Sequence, residues 1–110
     1  MGYNLSASST GRQVSPSVQI DYLGGVVAGP GVADTFRSGD MTWNQTFMNA
    51  HQSSWAQTPA DGFLGLSFDS ISENQTHTVP ETMLAEGLLA EPRFGLYYGT
   101  EFVDTGGKPG

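Results

Sequence analysis

Apolar and polar positions alternate along the first third of the chain. Val14, Val18, Ile20 and Tyr22 fall at strand spacing with polar residues between them. Gly24-Gly25 interrupts the pattern. Two adjacent glycines accept positive φ without a Cβ clash, so the pair predicts a tight hairpin turn. The chain then returns through Val26-Val27-Ala28-Gly29-Pro30-Gly31-Val32-Ala33 to Asp34-Thr35-Phe36, which predicts a hairpin over about residues 13–37. Arg37-Ser38-Gly39-Asp40 is a second turn signal, and Met41, Trp43, Phe47 and Met48 anchor a further strand over residues 41–49. Residues 50–60 are polar, end in Thr58-Pro59-Ala60 and read as a loop.

The second half is patterned differently. Phe63-Leu64-Gly65-Leu66 is a short apolar run bounded by turn signals, which predicts a fully buried strand over about residues 61–68. Residues 69–78 form a polar loop. Thr78-Val79-Pro80-Glu81 then combines a capping box with a proline in the first turn. With Met83, Leu84 and Leu88 as apolar positions and Gly87 near the end, it predicts one short helix over about residues 80–87. Pro92 prevents continuation, residues 94–98 read as a last strand, and residues 101–110 as a Gly-rich loop. The fold class expected is all-β with one short helix.

Composition narrows the function. A chain of 110 residues supports one small domain, and 15 glycines with 6 prolines suit a turn-rich β segment. The net charge is −7, with only Arg12, Arg37, Arg93 and Lys108 positive, which argues against nucleic acid and anionic membrane as partners. There is no cysteine, hence neither a disulfide framework nor a thiolate metal site. His51 and His77 stand apart without ligand spacing and read as surface or hydrogen-bonding residues rather than metal ligands. No apolar run reaches transmembrane length, and no basic-then-apolar leader pattern is visible. Asn4, Asn44 and Asn74 begin N-x-S/T sequons and are candidate glycosylation sites, which points to a secretory route. The glycines between Gly24 and Gly31 do not form a phosphate loop. Val32-Ala33-Asp34 follows them, where such a loop needs a Lys-Ser/Thr and a helix.

Two stretches carry a family resemblance. Asp61-Gly62-Phe63-Leu64-Gly65-Leu66-Ser67-Phe68 resembles the "Asp-Gly-hydrophobic-Leu-Gly-Leu-Ala/Gly-aromatic" segment of pepsin-like aspartic proteases. About forty residues upstream, Ile20-Asp21-Tyr22-Leu23-Gly24-Gly25 resembles the flap hairpin that closes over substrate in that family. Leu23 stands where the family usually has its first flap glycine. Tyr3-Asn4-Leu5-Ser6-Ala7-Ser8-Ser9-Thr10 resembles the link that precedes the flap strands, and Asp34-Thr35 the end of the returning strand.

The resemblance implies the middle and end of the N-terminal lobe of a pepsin-like β-barrel fold. It implies aspartic endopeptidase activity in a longer parent, in which two aspartates about 3 Å apart share one proton and activate a water. No Asp-Thr-Gly-Ser stands upstream of the flap stretch, so both aspartates are expected outside this chain, and the chain alone is expected to be inactive. Tyr22, Leu23, Gly24 and Gly25 would be flap residues over the substrate, and Phe63 would line a substrate side-chain pocket. Read without the resemblance, Tyr22 is one more strand aromatic and Asp61-Gly62 a turn before a buried strand. The implied partners are a peptide or protein substrate and the remaining parts of a two-lobed protease, and the implied location is secreted or vacuolar. No cofactor is implied.

Phe102-Val103-Asp104-Thr105-Gly106-Gly107 spells a sequence close to an aspartic protease active site, and with a length near 100 it invites a homodimeric, retroviral-type reading. The order of elements opposes this. A catalytic turn is followed by its flap and a buried strand, whereas here the flap-like hairpin comes first. Asp104 is therefore expected in an exposed acidic loop. The alternative to an enzyme is a secreted, non-enzymatic β-rich binding module that kept the fold and lost the chemistry.

Overall fold

The computed structural model describes residues 2–55, 61–68, 70 and 76–99. Its centre is an antiparallel sheet built from β1 (Arg12–Tyr22), β2 (Gly25–Ser38), β3 (Met41–Met48) and the short β4 (Gln52–Ser53), with β2 in the middle. β1, β2 and β3 are consecutive neighbours, as their tight turns dictate. β1 and β2 form the long hairpin expected from the alternation, with Tyr22 opposite Gly25 and Ile20 opposite Val27. The β2–β3 turn carries Gly39 at φ 59°, a conformation that favours glycine. β4 was expected to be loop. It pairs with β2 through Ala28–Gln52 and Val27–Ser53, on the side of β2 beyond the end of β3.

Two prolines lie inside this sheet, and the ladder is adjusted around them. The β1–β2 register shifts between Gln13 and Ser15 and again between Ser15 and Ser17, so Val14 and Pro16 are extra residues in β1. A bulge is a place where a proline needs no ladder donor. Pro30 of β2 faces Ser17, and its carbonyl accepts from the Asn49 N–H over 2.9 Å.

The core lies along β2 and β3. Val32 is completely buried, with Ala33, Trp43 and Met83 close to it in burial. Val32, Asp34 and Phe36 pair with Phe47, Gln45 and Trp43, so these six side chains share one sheet face. Phe36 meets Phe47 at 5.2 Å and Trp43 at 5.9 Å between ring centroids, and Tyr3 closes the group edge-on against Phe47 at 5.0 Å. Gln45 is buried but satisfied: it accepts from the Trp43 indole N–H (3.1 Å) and donates to the His77 carbonyl (2.9 Å) and the Thr46 carbonyl (3.1 Å). These bonds tie the chain ahead of the helix to the sheet.

The N-terminal segment, a short 3-10 turn at Leu5–Ala7 capped by Asn4, is anchored by a single buried carboxylate. Asp34 accepts from the Ser8 hydroxyl (2.7 Å), the Thr10 hydroxyl (2.5 Å) and the Thr35 N–H (2.7 Å). Ser8 in turn accepts from the N–H groups of Thr10 and Gly11, so the segment is held at several points.

The helix, α1, runs Val79–Ala85, starting one residue earlier and ending two earlier than expected. Its end follows the Schellman pattern: Gly87 has φ 77°, the Leu88 N–H reaches the Met83 carbonyl (2.8 Å) and the Gly87 N–H the Leu84 carbonyl (3.1 Å). Its start departs from the capping box. Thr78 is the N-cap residue, but its side chain makes no cap bond and donates instead to the Ser67 carbonyl over 2.9 Å. Glu86, just past the helix, accepts the Asn44 N–H of β3 over 3.1 Å and so occupies part of that strand's outer edge.

Two expected strands are not formed. Residues 61–68 and 93–99 lie outside any ladder. Phe63, Leu64, Phe68, Phe94, Leu96, Tyr97 and Tyr98 are all exposed. The apolar run specifies burial, but burial of an extended segment needs a neighbouring strand to take its N–H and C=O groups, and none is present among the described residues.

Candidate functional site

The hairpin tip and residues 63–65 line a shared apolar cavity. It is open, about 460 Å³, and is lined among others by Tyr22, Leu23, Gly24, Trp55, Phe63 and Leu64. Sequence alone singled out Tyr22, Leu23, Gly24 and Phe63, and the structure brings all four to this one place. Gly25 lies immediately beside it, as the first residue of β2.

Three rings form the cavity's frame. Tyr22 meets Phe63 edge-on at 5.2 Å with an interplanar angle of 88°. Phe63 also meets Trp55 at 5.6 Å and 70°. Edge-to-face pairs place the positive ring edge over the negative face, a geometry that fixes ring orientation beyond what burial alone would do. Phe63, although 56% exposed, is thus held from two sides. Its position depends on a segment outside the sheet packing onto the tip of the hairpin.

The glycines at the tip serve a different purpose from the one expected. Neither Gly24 nor Gly25 has positive φ; among the described glycines only Gly39 and Gly87 do. The turn consists of Leu23 and Gly24. A Cβ on Gly24 would sit 2.7 Å from Cη2 of Trp55, and one on Gly25 would sit 2.7 Å from the Ser54 Cβ and 3.0 Å from the indole nitrogen. Close approach of the indole, rather than backbone twist, requires glycine here. The Trp55 N–H is buried against this backbone and has no hydrogen-bond partner among the described residues.

Trp55 is the residue that sequence reasoning missed. It falls in a polar stretch read as loop, and its signal was its type: a tryptophan just beyond a strand-paired turn, with large apolar area to cover. The β4 pairing delivers it. The Ser54 N–H donates to the Val26 carbonyl (2.9 Å) and the Ser54 hydroxyl accepts from the Val26 N–H (3.1 Å), which clamps the residue before Trp55 to the hairpin.

The chemistry of the cavity is apolar. Asp21 directs its carboxylate to Gln19, whose amide donates to it over 2.9 Å along β1. Among the described residues no group of His, Cys, Asp or Glu is arranged to hold a metal.

Residues 1–108 match the family model for eukaryotic aspartyl protease. The chain belongs to the eukaryotic aspartyl protease family. It is 37% identical to vacuolar protease A of Aspergillus fumigatus over 101 residues, covering 88% of the chain and 25% of that protein. It is 31% identical to mouse gastricsin over 110 residues (96% of the chain, 28% of that protein), and 35% identical to rhizopuspepsin-3 of Rhizopus niveus over 112 residues (96% and 28%). The chain thus spans about a quarter of the length of these aspartyl protease relatives. The mostly β sheet with one short helix agrees with a pepsin-like lobe. Of the candidate glycosylation sites, Asn4 and Asn44 are exposed. Asn74 and Asp104 lie outside the described residues.

Proposed function

We propose that this chain is part of the N-terminal lobe of an aspartic endopeptidase, that the Tyr22–Gly25 tip is its flap, and that the catalytic aspartates lie outside the chain. The observation that carries the reading is the meeting of Tyr22 with Phe63 across an open apolar cavity. A hairpin tip and a downstream apolar segment, 41 residues apart in sequence, converge on one open space of about 460 Å³. The chain's share of the reaction is then positioning. Tyr22 covers a bound peptide from above, Phe63 and Trp55 form the wall against which one substrate side chain rests, and the closed tip excludes water from the bond to be cleaved. The two aspartates, supplied by the rest of the protein, activate the attacking water. By itself the chain binds weakly and does not hydrolyse peptides.

The route through the secretory pathway, to the exterior or a vacuole, is part of the same proposal. It is supported by exposed Asn4 and Asn44 in their sequons and by the vacuolar name of one relative. The test is to assay the full-length protein that contains this segment for cleavage of a protein substrate at about pH 3 to 5, where a proton-sharing carboxylate pair works. Acid cleavage that an aspartic-protease transition-state analogue blocks, and that is absent from the purified 110-residue chain, is the expected result. A folded full-length protein that binds peptides without cleaving them would replace this reading with that of a binding module.

A further inference from the structure

We propose that Asn4 carries an N-linked glycan and that this sugar shields the exposed link ahead of β1 from proteolysis; this rests on the secretory route proposed above. Asn4-Leu5-Ser6 is a sequon, and its two polar residues are both exposed. The Asn4 amide uses its two ends differently. Oδ1 accepts from the Ser6 N–H (3.1 Å) and from the Ser6 hydroxyl (2.7 Å), which caps the 3-10 turn. A backbone N–H can only donate, so the oxygen faces the turn and leaves Nδ2 outward. Nδ2 has no hydrogen bond among the described residues. A sugar on Nδ2 therefore keeps the cap intact and displaces no contact.

The sugar donor is a lipid-linked oligosaccharide pyrophosphate. Nδ2 bonds to C1 of the first sugar as the bond from C1 to the pyrophosphate oxygen breaks; the pyrophosphate leaves with that electron pair, and Nδ2 gives up one proton. The turn that presents Nδ2 lies within three residues and needs no part of the sheet, so an unfolded chain can form it. Asn44 differs. Its Oδ1 accepts from the Thr35 hydroxyl (3.2 Å) and its N–H donates to Glu86, 42 residues away, so its setting exists only in the folded sheet. What the sugar covers follows from its place. Residues 2–10 pair with no strand, and hydroxyls of Tyr3, Ser8 and Thr10 tie them to one carboxylate, Asp34. Exposed backbone outside a ladder is where chains are nicked, and a bulky hydrated group beside it obstructs a protease. Gly25 begins β2 and Asp34 stands nine residues further on, about 30 Å along an extended strand. The glycan thus covers the link and leaves the cavity at the hairpin tip open.

The test uses the full-length protein that contains this segment, expressed in eukaryotic cells as wild type, Ser6→Thr and Ser6→Ala. Mass mapping of peptides is expected to find a glycan on Asn4 in wild type and Ser6→Thr, and none in Ser6→Ala. A broad-specificity protease should cut between residues 5 and 11 about fivefold faster in Ser6→Ala than in Ser6→Thr. Ser6→Ala also loses one hydrogen bond of the turn, so a second comparison separates sugar from structure. Wild type trimmed by an endoglycosidase to a single sugar residue keeps Asn4 and its cap, and should show the same gain in cutting at the link. Secreted protein with a bare Asn4 overturns the proposal, as does a glycan whose trimming leaves the cutting rate unchanged. Protein that stays in the cytosol with every sequon bare removes the secretory reading itself, and the proposal with it.

Discussion

The Tyr3 hydroxyl donates to Oδ2 of Asp34 over 2.5 Å, joining two residues 31 apart in sequence. Hydrogen bonds from Thr10, Tyr3 and Ser8, with the Thr35 N–H, hold the Asp34 carboxyl well below the usual carboxylate range, against the opposing effect of burial. The same contact raises the Tyr3 phenol, because the donor must keep its proton to serve a carboxylate. One buried anion therefore collects three hydroxyls and fixes the N-terminal segment on the sheet face that carries the core.

The depressed Asp34 titration gives a pH prediction. A carboxyl whose folded pKa lies below its unfolded value adds stability that is fully present above the unfolded value, about pH 4. That contribution is lost only as pH falls towards the folded value, beneath the ordinary carboxylate range. In the full-length protein, Asp34→Asn should lower the thermal midpoint by a margin that stays constant from neutral pH to about pH 4 and narrows only below it. Melts across that range check the sign. A gap that widens as the solution becomes more acid would mean that the clasp is not held by a charged carboxylate.

Close backbone contact predicts a second outcome. A Cβ on Gly29 would lie 2.1 Å from the Asn49 carbonyl oxygen, a backbone atom that cannot rotate away. Gly29→Ala should therefore destabilise the full-length protein by about 1–3 kcal/mol, the range for overpacked sites. Gly62→Ala is the control, because nothing among the described residues lies within 4 Å of its Cβ position. Denaturant midpoints of the two variants should separate clearly. Equal midpoints would count against the packing of β2 onto the chain at Asn49.

These elements differ in how much of them the sequence disclosed. The β1–β2 hairpin and β3 were legible because each has its own period and its neighbour in sequence is also its neighbour in space, and α1 because it carries its own proline start and glycine stop. The reason for Gly24 and Gly25 was not legible, since it depends on Trp55, thirty residues downstream, whose approach no local pattern encodes. The Thr78 hydroxyl was assigned to the helix and serves the Ser67 carbonyl instead, because both acceptor and donor roles were open to it. Residues 61–68 show the limit most clearly. Their composition reports that they are to be buried, but the surface that buries them is not a property of the segment. The convergence of Tyr22 and Phe63 was legible only through the family resemblance.

The exposed apolar segments give a third prediction. Phe63, Leu64, Phe68, Phe94, Leu96 and Tyr97 are exposed together, and the relatives are about four times longer than the matched stretch. The purified 110-residue chain should bind a hydrophobic dye such as ANS and self-associate at micromolar concentration. Sharp, cooperative unfolding of a monomer without dye binding would show that the chain covers these residues unaided.

The last prediction concerns the coupling of Tyr22 with Phe63. An edge-to-face pair is worth about 0.5–1.5 kcal/mol beyond its area burial, so a double-mutant cycle of Tyr22→Ala and Phe63→Ala in the full-length protein should return a coupling of that size in stability. Catalysis should respond more strongly than folding, because both rings frame the cavity rather than fill the core. Tyr22→Ala is expected to lower kcat/KM at least tenfold, while Tyr22→Phe, which keeps the ring edge against Phe63, retains most of the activity. The phenol is thus expected to matter less than the ring. Activity lost equally in Tyr22→Phe would transfer the role to the hydroxyl, and activity preserved in Tyr22→Ala with stability alone reduced would make Tyr22 a structural residue and the hairpin something other than a flap.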